Sequence, residues 1–526
     1  MVWRIFSNLF VAAAGAGLLS YPYAVKNQGV VLCCLLTALF GALNVVTDFV
    51  LIAAAHLFRG ALLKPGAGGF DYLCLHALGP RMARAAGASI VLGSLGAQIG
   101  YLIAIGDLLA PPLQAAAHCP GASPWCALTQ RFFVVPAVAF TVTLPLTFVA
   151  SPSALGHSSL LAAVTVLAVA AVVAAQGISA LRAGSLEAVA AALDYAAADA
   201  AGDVVLSRWT WAIFLGIPIS VFSLGNHMQI IPVYLEAKEG SLAQRAFPRV
   251  VACAVASCVV LYLATGLAGY VAYRRDTNGD IMTNLPAGAW ATVLGKVLLA
   301  VHLLLSYPIL FLPARRSLIA AAGEAAAWLR ARGAAAADAG ARACDLLHAS
   351  SYAVPLLATA SSALLAVAAP SISVVFGLLG ATVATFQIYT VPGLLLLRFA
   401  AALDGGPAAA DAAGAAGDGI AAEREATWAQ VPAIWGAGAD TAGRRGEGEA
   451  EGAPLLAAAT EGGEGAGAAA AAADTESQRI YAPRLLPLHS AFATRALGWL
   501  LIALSVAIGF CGTAVFCLST WAGWGA

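Results

Sequence analysis

Charge is what this 526-residue chain has least of: Asp, Glu, Lys and Arg together make up 10%, and 27 basic residues balance 27 acidic ones. Soluble domains carry about 25% charged residues, so these are too few to cover soluble domains of this length. No basic surplus exists to neutralise phosphates, which argues against a nucleic-acid partner. There is no Walker motif for nucleotide-driven work, and no C-x-x-C pair or Cys/His cluster points to a metal. No recognisable convergent set of titratable groups suggests an enzyme, and no cofactor is expected. The ten cysteines are no disulfide framework. Most, such as Cys33, Cys34, Cys253, Cys258, Cys511 and Cys517, lie in apolar runs as small hydrophobes. Cys119 and Cys126 differ, because they flank the Pro/Gly-containing stretch HCPGASPWC. In an oxidising compartment they would form a local disulfide.

What the chain has is apolar length: 61% hydrophobic residues and a mean hydropathy of +0.85. A bilayer core about 30 Å thick needs about 20 apolar residues in helical form. Eleven runs approach that length: 5–24, 30–57, 87–110, 132–149, 155–176, 209–226, 250–273, 289–312, 352–369, 371–397 and 497–520. The expected fold is therefore an all-α, multi-pass membrane protein in a lipid bilayer. The first run also fits a signal peptide, with Arg4 before Ile5–Ala14. Its length and the Tyr21-Pro22-Tyr23 that follows favour a spanning helix. With the N-terminus cytoplasmic, twenty basic residues fall on that side against six on the other, and thirteen against six without the last loop.

Three regions are expected: a core over 1–403 with ten helices, a disordered acidic Ala/Gly-rich loop over 404–478, and a final helix within 479–526. The loop is too poor in apolar surface to offset the entropy of ordering. Residues 320–348, Ala-rich with spaced arginines, are expected to form a surface helix or a solvated connector. The zero net charge is a cancellation: residues 404–479 hold thirteen acidic and four basic residues, and the rest hold 14 and 23.

In a membrane, chemistry concentrates at helix breaks and buried polar groups, because unwound backbone persists only where it lines a cavity or packs in protein. The first run carries Gly15-Ala16-Gly17 and then Ser20, Tyr21 and Pro22; the sixth ends in Ser223-Leu224-Gly225-Asn226-His227. Breaks at positions one and six, corresponding places in two five-helix halves, match inverted-repeat transporters with discontinuous helices. Half-helix N-termini attract a carboxylate and exposed carbonyls an ammonium group, and a zwitterionic amino acid offers both. Asp48 lies deep in the second run, and an intramembrane carboxylate is a functional candidate. His302 is one turn before Ser306, on the same face, and can titrate near neutrality. Asp48, His302 and His227 are the proton-coupling candidates, His227 doubling as a hinge or cap. Asp107, Lys296 and the Glu236–Lys238 pair read as interfacial or solvated groups.

Four segments in order carry a resemblance: SNLFVAAAGAGLLSYPYAVKNQG (7–29), GAQIGYLIAIGDLL (96–109), FSLGNHMQIIPVYLEA (222–237) and LLLSYPILFLPARRSL (303–318). They resemble motifs of the amino acid/auxin permeases, closest to plant and fungal vacuolar and sodium-coupled neutral amino acid transporters. The resemblance extends over roughly 7–400 and resumes weakly at 497–520. It implies eleven spans with a cytoplasmic N-terminus and a LeuT-like five-plus-five inverted repeat with one extra helix. It also implies secondary transport by alternating access, in a vacuolar or plasma membrane. Backbone amides of Gly15, Ala16 and Gly17 would hold the substrate carboxylate, and carbonyls of Ser223, Leu224, Gly225 and Asn226 its amino group. Tyr101, Ser306 and Tyr307 would line the site. Val11 stands where sodium-coupled members carry Asn, which weakens the case for sodium as a hard cation wanting oxygen ligands. Asn226 replaces the usual Cys, and the N-terminal tail is shorter than usual for the family. The expectation is a transporter of amino acids, neutral ones in the first instance, coupled to protons. Sodium coupling, or a non-transporting sensor on the same fold, is the alternative.

Overall fold

The computed structural model describes residues 2–64, 69–116, 124–149, 158–183, 204–238, 240–286, 290–331, 342, 352–404, 419–431 and 490–524. Among them there is no β-strand, so the all-α expectation is met. The first span is a bent pair, α1 (Val2–Ala13) and α2 (Gly17–Gln28), meeting at 54°. Next come α3 (Val30–Leu57), α4 (Phe70–Leu78) and α5 (Pro80–Ala116). α6 (Arg131–Val138) continues through a π turn at Ala139–Thr143 into Leu144–Val149, and α7 (Ser158–Ala183) follows. A second broken pair, α8 (Ile213–Ser223) and α9 (His227–Glu236), leads to α10 (Leu242–Tyr273), α11 (Trp290–Arg330) and α12 (Ala353–Ala368). α13 (Ile372–Leu379) passes through two π turns, Gly380–Ala384 and Phe386–Thr390, into α14 (Val391–Leu403). α15 (Gly419–Trp428) and α16 (Ala491–Trp524) complete the described chain.

Among the described residues eight helices are long and apolar enough to cross a membrane, nine with the bent first pair. Two shorter apolar helices, Ala163–Ser179 and Ala353–Ala368, overlap the runs expected at 155–176 and 352–369. Leu35, Leu39, Val260, Leu364 and Phe510 are exposed. Large apolar side chains on the outside of long helices suit a hydrocarbon solvent, where only internally satisfied backbone survives.

Three local expectations meet the structure differently. The Ala-rich stretch from residue 320 continues α11 unbroken to Arg330. Within the loop expected to be disordered, Gly419–Trp428 is a helix with Trp428 buried; residues 405–418 and 432–489 lie outside the described residues. Cys126 is disulfide-bonded, while Cys119, its expected partner, lies outside the described residues.

Candidate functional site: two helix breaks that meet

The first break falls at Gly15-Ala16-Gly17, where glycine costs a helix about 1 kcal/mol relative to alanine. The Ala13 carbonyl, deprived of its helical donor, accepts a hydrogen bond from the Tyr262 hydroxyl of α10 at 2.6 Å. Gly15 faces Tyr101 of α5: a Cβ there would lie 3.6 Å from the phenol oxygen. At Gly17 a Cβ would collide with the side chain of Ser223, so only glycine lets the start of α2 approach the end of α8. That contact brings the two breaks together. α2 opens and α8 closes here, where helix-end N–H and C=O groups lack helical partners. The Leu18 and Leu19 amides turn back to the Gly15 and Ala16 carbonyls, and the Ser220 carbonyl accepts from the Leu224 amide.

In the second break Leu224 caps α8 in helical geometry, Asn226 leaves it, and the Gly225 amide bonds back to the Phe222 carbonyl at 3.1 Å. Aromatic and aliphatic side chains flank it. Phe222 stacks on Phe376 of α13 with centroids 4.7 Å apart, and Phe376 packs against Gly100, next to Tyr101. Ile388, in the second π turn, approaches Gly225. π turns recur at functional sites because they re-aim side chains within a helix.

One face of α3 supplies polar support for this break. Asn44 donates its amide to the Leu224 carbonyl and to Asn226 Oδ1, both at 3.1 Å. Asn226 donates to Asp48 Oδ2 at 3.0 Å. The Thr47 hydroxyl has the Leu43 and Asn44 carbonyls to donate to, so it accepts from His227 Nε2, 2.8 Å away. That fixes the proton of a neutral imidazole on Nε2 and leaves the lone pair on Nδ1. Nδ1 lies 3.5 Å from Asp48 Oδ1, both side chains being almost fully buried. Two facing lone pairs would repel, so this pair is a place where a proton on either atom would relieve the contact.

Of the residues singled out from sequence, Gly15, Ala16, Gly17, Tyr101 and Ser223 to Asn226 thus converge, with Asp48 and His227 beside them. His302 and Ser306 are paired on α11 at 3.4 Å. Tyr307 is buried with Thr143, Thr359 and Ser362 as neighbours. The polar contacts of these three lie within the packing of α6, α11 and α12. Asn44, Thr47, Phe376 and Ile388 were not anticipated. Asn44-x-x-Thr47-Asp48 has the spacing of one helix face, a signal available in an otherwise apolar run.

The connection between α10 and α11 packs along α2, from Ser20 in its first turn to Lys26 near its end. Ser20 donates to the Gly279 carbonyl at 2.9 Å, and Lys26 Nζ to the Thr277 carbonyl at 3.1 Å. Asp280 accepts from the Met282 amide at 2.9 Å. Burial pushes its carboxyl up to about 7; the Met282 bond, Lys296 and Arg131 oppose the shift and Asp107 adds to it.

Comparison with known proteins places the chain in a family. Residues 1–401 match the family model described as transmembrane amino acid transporter protein. Vacuolar amino acid transporter 7 of Saccharomyces cerevisiae is 26% identical over 59% of this chain and 57% of its own length. Sodium-coupled neutral amino acid transporter 7 of Xenopus laevis is 24% identical over 74% of this chain and 78% of its own. The solved structure of MhsT in complex with L-phenylalanine aligns over 81% of this chain and 94% of its own, with 12% identity and a TM-score of 0.45. The chain spans less than two thirds of the yeast relative. With three quarters of its length under one family model, the chain belongs to the transmembrane amino acid transporter proteins.

Proposed function

We propose that this protein is a proton-coupled secondary transporter of neutral amino acids working by alternating access. The observation that carries the reading is the meeting of Gly17 and Ser223, which sets the start of one half-helix against the end of another. The N–H groups and positive dipole end of α2 suit a carboxylate, and the terminal carbonyls of α8 suit an ammonium group. Tyr101, Phe222 and Phe376 offer an apolar wall to the side chain. The carboxylate nearest the break, Asp48, is engaged by Asn226 and His227, which disfavours a cationic substrate.

The proton shared by Asp48 and His227 is the coupling ion of this reading. Losing it would leave a buried carboxylate without a counter-charge, and the cost would be felt through Asn226 and Asn44 at the Leu224 carbonyl. Proton occupancy and substrate occupancy are thereby linked, and linkage of this kind is reciprocal. The asymmetry of basic residues supports a cytoplasmic N-terminus, and the yeast relative's name supports a vacuolar membrane, with the plasma membrane as the alternative.

Uptake of labelled neutral amino acids into proteoliposomes, with a pH gradient and with choline replacing sodium, tests this. Accumulation that follows the pH gradient and persists in choline is expected. Strict dependence on sodium would overturn proton coupling. Binding without flux under every gradient would overturn transport itself in favour of a sensor.

A further inference from the structure

The family match stops at residue 401, and the chain then returns to the core. α15 docks where the ends of α3, α4 and α14 come together, in a fit specific in both shape and charge. Trp428 is 3% exposed. It is edge-on to Phe58, just past α3, with centroids 5.4 Å apart, and to Phe399 of α14 at 4.9 Å. Its indole N–H donates to the Ala77 carbonyl at 3.0 Å, one of the terminal carbonyls of α4 that the helix leaves without partners. Arg424 approaches Gly79 at that same negative helix end. Glu425, also buried, takes Arg398 of α14 at 2.7 Å and Arg424 at 3.3 Å, and Glu423 reaches Lys64 at 3.2 Å. Val431 is fully buried beyond Trp428.

The helices clamped at this end are continuous with the walls of the site. α3 carries Asn44, Thr47 and Asp48, and α14 continues the π turn that holds Ile388. In the alternating-access reading, rocking moves the ends of α3, α4 and α14 relative to one another. α15 bonds to α4 and α14 and packs Trp428 on Phe58 just past α3, so it resists that motion while it is docked.

We propose that residues 419–431 are a detachable autoinhibitory latch, an aromatic and acidic helix from the chain's own insert that slows transport by tying the ends of α3, α4 and α14 together. The proposal rests on the transport reading above. Docking costs the latch no transport residue, since none of its contacts touches the breaks.

The full-length protein in proteoliposomes tests it, comparing wild type with Trp428→Ala, Glu425→Arg and the charge swap Arg398→Glu with Glu425→Arg. Release is followed by trypsin cleavage after Arg424 in wild type and Trp428→Ala, and by amide exchange over residues 419–431 in the variants of Glu425. Trp428→Ala and Glu425→Arg should expose Arg424 and raise the initial uptake rate about 3- to 10-fold. The charge swap should return both readouts toward wild type. A synthetic peptide of residues 419–431, present during reconstitution, should slow the Trp428→Ala variant again. Unchanged or lower uptake with the latch released, in variants that keep the wild-type melting temperature, overturns the latch and leaves transport standing. If wild type is silent and the released variants take up substrate, the latch is supported in its strongest form. If none of them transports, the transport reading falls and the latch falls with it.

Discussion

The two helix breaks lie against each other but are built from different materials. The first is nearly all backbone: Gly15, Ala16 and Gly17 carry at most a methyl group, and its main side-chain support is the Tyr262 hydroxyl on the Ala13 carbonyl. The second is wrapped in side chains, with Asn44, Thr47, Asp48, Asn226 and His227 forming one buried network. A backbone cradle distinguishes little beyond a carboxylate and close fit. A side-chain network can hold a proton and pass its presence to the carbonyls it supports. In the proposed reading the first break serves binding and the second coupling.

The largest effect should come from breaking the fit between them. Gly17→Val places a branched side chain where Ser223 stands, and uptake should fall about 100-fold or more with expression unchanged. Pairing Gly17→Ala with Ser223→Gly restores the space and should recover much of the activity lost by Gly17→Ala alone, a coupling readable as a double-mutant cycle. Gly225→Ala, whose added Cβ meets only Ile388 and the nearby Phe222 carbonyl, should be milder. Uptake rates for these four variants, and for Ser223→Gly alone to close the cycle, decide this.

A smaller and more selective effect is expected at the second break. Asp48→Asn keeps shape and hydrogen bonding but cannot exchange a proton with His227. Uptake driven by a pH gradient should fall about tenfold, while exchange of labelled for unlabelled amino acid, which needs no net proton movement, should persist. Equal loss of both would assign Asp48 to binding and erase the contrast between the breaks.

Much of this was legible in the sequence because the bilayer imposes long apolar helices and punishes every interruption. The Gly-Ala-Gly and Ser-Leu-Gly-Asn-His segments stand out for that reason, and so does Asp48. The role of Asn44 and Thr47 was not, because a single polar residue in a span is as well explained by local bonding to its own helix, which Thr47 also does. Tyr307 carries a motif match but points into the packing of α6, α11 and α12, a direction that pattern does not encode. The helix at 419–428 was hidden most thoroughly. An isolated ten-residue helix is marginal in water, and this one is held by Trp428 and Glu425 finding partners more than 20 residues away in the chain.

The smallest effect separates the breaks by what holds their half-helices. α9 is held by the α3 network, whereas α2 is tied through Ser20 to the Gly279 loop, whose neighbour Asp280 is buried. With its carboxyl raised from 3.8 to about 7, the docked loop binds a proton that the undocked loop releases. Docking is therefore strongest at low pH and weakens as pH rises from about 4 through about 7, by at most tenfold in equilibrium constant per unit. Amide exchange across residues 276–284, expressed as protection factors, should show protection declining over that window. Asp280→Asn keeps an oxygen for the Met282 amide but has no proton to lose, so its protection should be flat with pH. The proton dyad at Asp48 is untouched in that variant, so pH-driven uptake should survive while the loop's own pH dependence disappears. A loop that stays pH-dependent in Asp280→Asn would place its titrating group elsewhere, with Asp107 the next to test.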